Sequence, residues 1–292
     1  MTKGTIIKGI GGFYYIKTDD FIYSCRARGK FRKMSTTPMV GDIAEIEVTD
    51  DVKKEGYVVN ILPRKNQLFR PLVSNIDLLL ITFAAESPVP SLQLIDKLTI
   101  TALSKQIPCA ICINKCDLNW DIAKEYAEIY KLSGFPVLTV SAETGENVEA
   151  VKELLANKTT ALAGSSGVGK SSLLNAIGES FNLRTGQVSD KIQRGKHTTR
   201  HTELFPLSFG GFVFDTPGFG SFEIEDITYR DLATLFPEIK KSEGNCRFVG
   251  CSHIKEPDCS VKDAVKKGEI ARSRYESFVS LYEELKKIKE WK

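Results

Sequence analysis

No stretch of this sequence stays apolar for the roughly 18 residues that a membrane helix needs, and no short apolar core opens it, so neither insertion nor secretion is expected. Charge of one sign is in short supply as well. The 40 Lys+Arg and 37 Asp+Glu leave a formal net charge of +3, too mild to indicate a nucleic-acid partner by itself. That argument therefore passes to local clusters. Histidine is scarce, with 3 in 292 residues, so each is worth placing. There is no internal repeat and no low-complexity tract. The 7 cysteines are an odd number without a leader, which argues against a disulfide framework. They favour a reducing cytoplasm, with thiols free or on a metal. The length allows about two domains.

What is there is organised around Gly164-Ser165-Ser166-Gly167-Val168-Gly169-Lys170-Ser171. This reads G-x-x-x-x-G-K-S, the phosphate-binding P-loop. A β-prone run from Thr159 to Ala163 precedes it and a helical pattern from Ser171 to Ile177 follows. The glycines let successive N–H groups turn inward to phosphate oxygens, and the helix start adds partial positive charge. Lys170 is expected to neutralise the β- and γ-phosphates, and Ser171 to offer its hydroxyl to Mg²⁺.

Three further motifs belong with a P-loop. Asn114-Lys115-Cys116-Asp117 follows the apolar run Pro108 to Ile113, where an α/β sheet presents ligand groups. The Asp117 carboxylate can accept from guanine N1–H and from its exocyclic amine, donors that adenine lacks on that edge. Asn114 would hold the loop and the stem of Lys115 would cover the base. Ser141-Ala142 ends another strand, and the Ala142 N–H is a candidate donor to guanine O6. Asp215-Thr216-Pro217-Gly218 ends a predicted hairpin. Its Asp215 would hold an Mg²⁺-bound water, and the Gly218 N–H would sense the γ-phosphate. Between these lies Gly195-Lys196-His197-Thr198-Thr199-Arg200, a candidate switch in which Thr198 or Thr199 completes the Mg²⁺ shell.

Many GTPases place a glutamine after D-x-x-G, but Phe219 stands there and cannot orient water. His197 is the candidate for that task, with a solvent-exposed loop histidine as the alternative. The Cys109-x-x-Cys112 pair with Cys116 nearby looks like a metal motif, yet residues three apart on a strand face opposite ways. These are expected to be core or loop residues.

Residues 1–65 read as a small β domain. Short runs at Thr5-Ile6-Ile7, Phe13 to Ile16, Phe21 to Cys25, Ile43 to Val48 and Gly56 to Leu62 suggest five strands and an OB-fold barrel. Between the third and fourth, Arg26, Arg28, Lys30, Arg32 and Lys33 surround Phe31, which suits phosphates and a stacked base, or else a solvated basic loop. Beyond residue 222, Cys246, Cys251, His253 and Cys259 give C-x₄-C-x-H-x₅-C. Three thiolates and an imidazole suit one tetrahedral structural zinc. The rest reads as helices, with Tyr275, Phe278, Val279, Tyr282 and Leu285 as core. Lys262, Lys266, Lys267, Arg272 and Arg274 either touch RNA or form a solvated face.

In ordinary GTPases the P-loop comes first. Here the N-K-x-D and S-A motifs precede it, so the set is a circular permutation of the same sheet. The whole chain resembles the bacterial small ribosomal subunit-dependent GTPases. Leu62-Pro63-Arg64-Lys65-Asn66, the run Gly164 to Ser172 and Lys196-His197-Thr198-Thr199 carry the likeness. The resemblance implies an α/β, circularly permuted P-loop GTPase domain over residues 66–222. An N-terminal OB-fold domain over 1–65 and a C-terminal helical zinc-binding domain over 223–292 flank it. It implies a GTP hydrolase stimulated by the small (30S) subunit, binding 16S rRNA late in subunit maturation. Such a protein would be a cytoplasmic monomer with Zn²⁺ on the four C-terminal ligands and Mg²⁺ with the nucleotide. Its nucleotide set is Asn114, Lys115, Cys116, Asp117, Ser141, Ala142, Gly164, Ser165, Ser166, Gly167, Val168, Gly169, Lys170, Ser171, Ser172, Asp215 and Gly218. Its catalytic set is Lys170, His197, Thr198 and Thr199, with Ser171, Thr198 or Thr199, and Asp215 through water, around Mg²⁺. The alternative is a non-ribosomal switch that binds a protein partner. A P-loop kinase of small molecules would leave N-K-C-D and D-T-P-G unexplained.

Overall fold

The structure, a computed structural model, describes residues 2–29, 37–69, 71–178, 202–214 and 227–289. The expected five strands form: β1 (Thr2–Ile10), β2 (Phe13–Lys17), β3 (Ile22–Ala27), β4 (Ile43–Asp50) and β5 (Glu55–Ile61). They close a barrel in the order β1-β2-β3-β5-β4, with β3 and β5 parallel and the other pairs antiparallel. Alternation explains closure. Ile6, Ile16, Cys25, Ala44, Ile46 and Val58 face inward and are buried, while Glu45 and Glu47 between them face out.

A two-stranded ribbon, β6 (Gln67–Phe69) and β7 (Leu72–Ser74), follows the barrel. Next come β8 (Leu78–Ala84), α1 (Leu92–Ser104), β9 (Cys109–Asn114), α2 (Trp120–Leu132), β10 (Val137–Thr139), α3 (Val148–Leu155), β11 (Thr159–Ala163) and α4 (Lys170–Ala176). The hairpin is β12 (Leu204–Pro206) with β13 (Phe212–Phe214). These strands make a six-stranded sheet in the order β10-β9-β8-β11-β13-β12. The pairs β10/β9 and β11/β13 are parallel and β12/β13 is antiparallel. Every residue of β8 and of β9 is buried, as expected of strands covered on both faces. Helices start where their caps are. The Ser91 side chain accepts from the Leu94 N–H at α1, and Asn119 accepts from Ile122 at α2.

The C-terminal part holds α5 (Pro237–Ser242), α6 (Ser260–Lys266) and α7 (Arg272–Lys289). Their shared core contains Leu232, Phe236, Ile239, Val261, Phe278, Leu281 and Leu285, with Ile100 of α1. Phe236 and Phe278 meet edge to face at 5.5 Å between ring centroids.

Arg274 corrects one expectation. It is fully buried and does not reach solvent or RNA. Its guanidinium donates to Asp96 Oδ1 at 2.6 Å and to Glu238 Oε1 at 2.8 Å, and it lies 4.6 Å over the Phe236 ring. A cation enters a core only when its donors are matched, and two carboxylates match this one.

The chain divides into two compact units. One comprises Met1–Leu79, Lys152–Leu162 and the described part of Arg184–Gly220. The other comprises Leu80–Val151, the described part of Ala163–Leu183 and that of Ser221–Lys292. No helix among the described residues is long and apolar enough to cross a membrane.

Candidate nucleotide site and metal centre

The turn after β11 is built on backbone that needs glycine. Gly164 has φ +138°, and a Cβ there would sit 1.9 Å from the carbonyl oxygen of Thr82. Gly169 has φ +91°, and its Cβ would fall 2.3 Å from Asn114 Nδ2. Both positions combine a left-handed conformation with a close approach. Lys170 begins α4, and its Nζ donates to the carbonyls of Gly164 and Ser165, each at 2.8 Å. The cation therefore lies across the curl of the loop. Burial pushes its pKa below the usual lysine value, so an anionic ligand would be met by a poorly solvated charge. Ser171 follows on the same helix and is half-buried.

The second motif reaches the same loop through one side chain. Asn114, the last residue of β9, is buried. Its Nδ2 donates to the Val168 carbonyl at 3.0 Å and to that of Gly169 at 3.4 Å. Its Oδ1 accepts from the Ala142 N–H at 3.1 Å. Asn114 thus joins the P-loop to the Ala142 loop, and the Ala142 amide, a candidate for guanine O6, is directed at Asn114. Lys115 adopts φ +58°, which turns the chain sharply and leaves Asp117 exposed. Ser141 Oγ donates to Asp117 Oδ1 at 2.5 Å and accepts from the Thr144 N–H, which orients the carboxylate. Lys115 Nζ donates to the Ser87 carbonyl at 2.6 Å. Cys116 is buried, and burial pushes its thiol up to about 11, so it contributes backbone geometry.

The structure brings together the residues of 164–172, Asn114, Lys115, Asp117, Ser141 and Ala142. The hairpin ends at Phe214, so Asp215 and Gly218 lie outside the described residues, as do His197, Thr198 and Thr199. Sequence reading missed Thr82 and Ser87, whose carbonyls receive Gly164 and Lys115. No local pattern marks a backbone carbonyl as a partner.

Cys246, Cys251, His253 and Cys259 place their ligand atoms within 4.8 Å of one another, and they could hold a metal ion. His253 and Asp258 take left-handed backbone at φ +62° and +51°, which folds the short loop onto itself. His253 Nδ1 lies 3.5 Å from both Cys246 Sγ and Cys259 Sγ. By contrast, burial pushes the Cys109 and Cys112 thiols up to about 12, and neither belongs to a metal-ligating group among the described residues. They are core residues, as their strand positions imply.

The sequence matches the family described as RsgA GTPase over residues 61–225 and the RsgA N-terminal domain over residues 3–58. Small ribosomal subunit biogenesis GTPase RsgA of Ruminiclostridium cellulolyticum is 48% identical, covering 100% of this chain and 96% of the relative. Its counterpart in Caldanaerobacter subterraneus subsp. tengcongensis is 46% identical over 97% and 96% of the two chains. Among solved structures, YjeQ from Thermotoga maritima superimposes with a TM-score of 0.83 at 37% identity, covering 97% of this chain and 98% of that one. YloQ, described as a circularly permuted GTPase, gives 0.81 at 38% identity over 98% and 96%. With N-K-x-D on β9 upstream of a P-loop on β11, this is a GTP-hydrolysing enzyme of the circularly permuted class. The chain belongs to the RsgA GTPase family.

Proposed function

We propose that this GTPase binds the small (30S) ribosomal subunit and acts late in its maturation, with hydrolysis stimulated by the subunit. The observation that carries the nucleotide half is the Asn114 bridge, which locks the phosphate loop and the base loop into one element while Asp117 stays exposed. Support for the ribosomal half is that the relatives are named for small-subunit biogenesis.

In this reading Asp117 selects guanine, with Asn114, Lys115, Cys116, Ser141 and Ala142 shaping the base loop. Residues 164–172 take the phosphates. Lys170 leaves the carbonyls of Gly164 and Ser165 for the β- and γ-phosphate oxygens, a charge-assisted exchange. Ser171, Thr198 or Thr199, and Asp215 through a water, would hold Mg²⁺, which neutralises charge on the phosphates when bound. Gly218 senses the γ-phosphate, and His197 orients the attacking water as its hydrogen-bond acceptor.

The domains run 1–65, 66–222 and 223–292. The barrel meets 16S rRNA through its basic surface, and the protein works as a cytoplasmic monomer. The Cys₃His group suits structural zinc. Tetrahedral bonds of about 2.3 Å to sulfur and about 2.0–2.1 Å to nitrogen require edges of about 3.8 Å and about 3.5 Å. Cys246 and Cys259 Sγ lie 3.8 Å apart, and His253 Nδ1 lies 3.5 Å from each. Four protein ligands leave no open position.

The test is GTP hydrolysis by the purified protein with and without purified small subunits. Strong stimulation is expected. No stimulation, together with no binding to subunits, would leave the non-ribosomal switch as the better reading.

A further inference from the structure

The barrel is fastened to the strands that flank the switch motifs in sequence. Lys8 of β1 and Glu203, the residue before β12, form an isolated antiparallel bridge through their backbones. Their side chains add an ion pair, Nζ to Oε2 at 2.7 Å, each about one-third exposed. The register of β1 against β2 slips between Ile6 and Lys8, leaving Ile7 as an extra residue. Such a bulge re-aims the residues after it, and here Lys8 stays paired with Tyr15 of β2 while it also bridges Glu203.

A second contact joins the same two parts. The Ile6 carbonyl accepts from the Gly41 N–H, and the Ile6 N–H donates to the Asp42 carbonyl, each at 2.8 Å. Asp42 is fully buried and accepts from Ser74 Oγ at 2.6 Å and from Arg64 Nε at 2.7 Å. Gly41 abuts the Ser74 carbonyl and the ring of Phe214: a Cβ there would lie 2.1 Å from the former and 3.3 Å from the latter. Phe214 immediately precedes the D-T-P-G motif, and Glu203 follows the candidate switch at 195–200 by a few residues. β1 thus touches the polypeptide just after one switch motif, and Gly41, hydrogen-bonded to β1 through Ile6, touches it just before the other.

We propose that the Lys8–Glu203 pair is a positioning pair that makes hydrolysis responsive to what the barrel binds. Loading of the outer barrel surface stiffens β1. The ion pair holds the start of β12 against it, and hydrolysis thereby becomes sensitive to the load on β1. Where the pair links two binding events, loading of the barrel and occupancy by the γ-phosphate, the linkage is reciprocal, and the nucleotide state is then also felt in β1. The inference rests on the ribosomal reading only for what loads the barrel.

The experiment compares the wild type, Lys8→Ala, Glu203→Ala and the swapped pair Lys8→Glu/Glu203→Lys. Amide hydrogen exchange in β1 is measured on the free protein with GDP and with a non-hydrolysable GTP analogue. Slower exchange with the analogue is expected in the wild type. The difference should shrink by about two- to fivefold in each single variant, the range open to a partly exposed ion pair, and return in the swap. In parallel, subunit-stimulated hydrolysis should fall by a similar factor in the single variants and recover in the swap, with GTP affinity and unstimulated rate unchanged. A purely structural pair would lower the melting temperature without this pattern of rescue. Exchange in β1 that ignores the nucleotide, or single variants that keep the full wild-type difference, would overturn the proposal. If subunits fail to stimulate the wild type, the ribosomal reading falls, while the exchange comparison still decides the role of the pair.

Discussion

Gly169 and Asn114 are fitted to each other: a Cβ on Gly169 would lie 2.3 Å from the Asn114 amide nitrogen that holds the neighbouring carbonyls. The glycine is needed less for flexibility than because the side chain that organises the base loop occupies the space. The phosphate and base loops therefore form together. Gly169→Ala should lose nucleotide affinity, since it requires φ +91° from a non-glycine residue as well as displacing Asn114. Asn114→Ala should weaken GTP and GDP alike by about 1–3 kcal/mol, the cost of leaving buried polar groups unpaired. Nucleotide titration of the two variants checks both; retention of wild-type affinity would remove the bridge from the site.

In the proposed function, base choice rests on Asp117. Asp117→Asn exchanges an acceptor for a donor on the side that faces two guanine donors. GTP affinity should drop by about 10- to 100-fold, as for loss of charged hydrogen bonds. Xanthosine triphosphate, with the reversed pattern, should bind relatively better. Competition between the two nucleotides measures the switch.

Hydrolysis should depend on His197. His197→Ala is expected to lower the rate by about 10²–10⁴, the range for a positioned acid–base group, with GTP affinity near wild type. Single-turnover hydrolysis on small subunits is the measurement. Normal turnover would move the role to Thr198, Thr199 or a group of the subunit.

Arg274 ties α1 to α5 and α7 through Asp96 and Glu238. Burial pushes the Asp96 carboxyl up, and the attraction of Arg274 offsets only part of that shift. Arg274→Met should destabilise the protein by about 3–5 kcal/mol because two carboxylates remain buried without their cation. Changing Asp96 and Glu238 to Leu at the same time should recover much of that loss. Urea unfolding of the single and triple variants reads the difference.

The metal prediction is stoichiometric. Purified protein should carry about one zinc per chain, as a closed four-ligand site requires. Cys259→Ala should lose it and lower the melting temperature, since Cys259 is also part of the C-terminal core. Elemental analysis with a thermal scan suffices.

Local chemistry was written in the sequence. A left-handed loop that approaches backbone closely needs glycine, so Gly164 and Gly169 announced the phosphate turn. Thiolate spacing announced the Cys246–Cys259 group, and alternation in Ile43 to Val48 announced a half-buried strand. These features depend on neighbours within a few residues, and spacing alone specifies them. Tertiary structure decided what pairs across long separations. Arg274 meets Asp96 across 178 positions, and Lys8 meets Glu203 across 195. Sequence spacing carries no record of such partners, because burial converts a surface cation into a core one only after packing has brought the matching carboxylates to it.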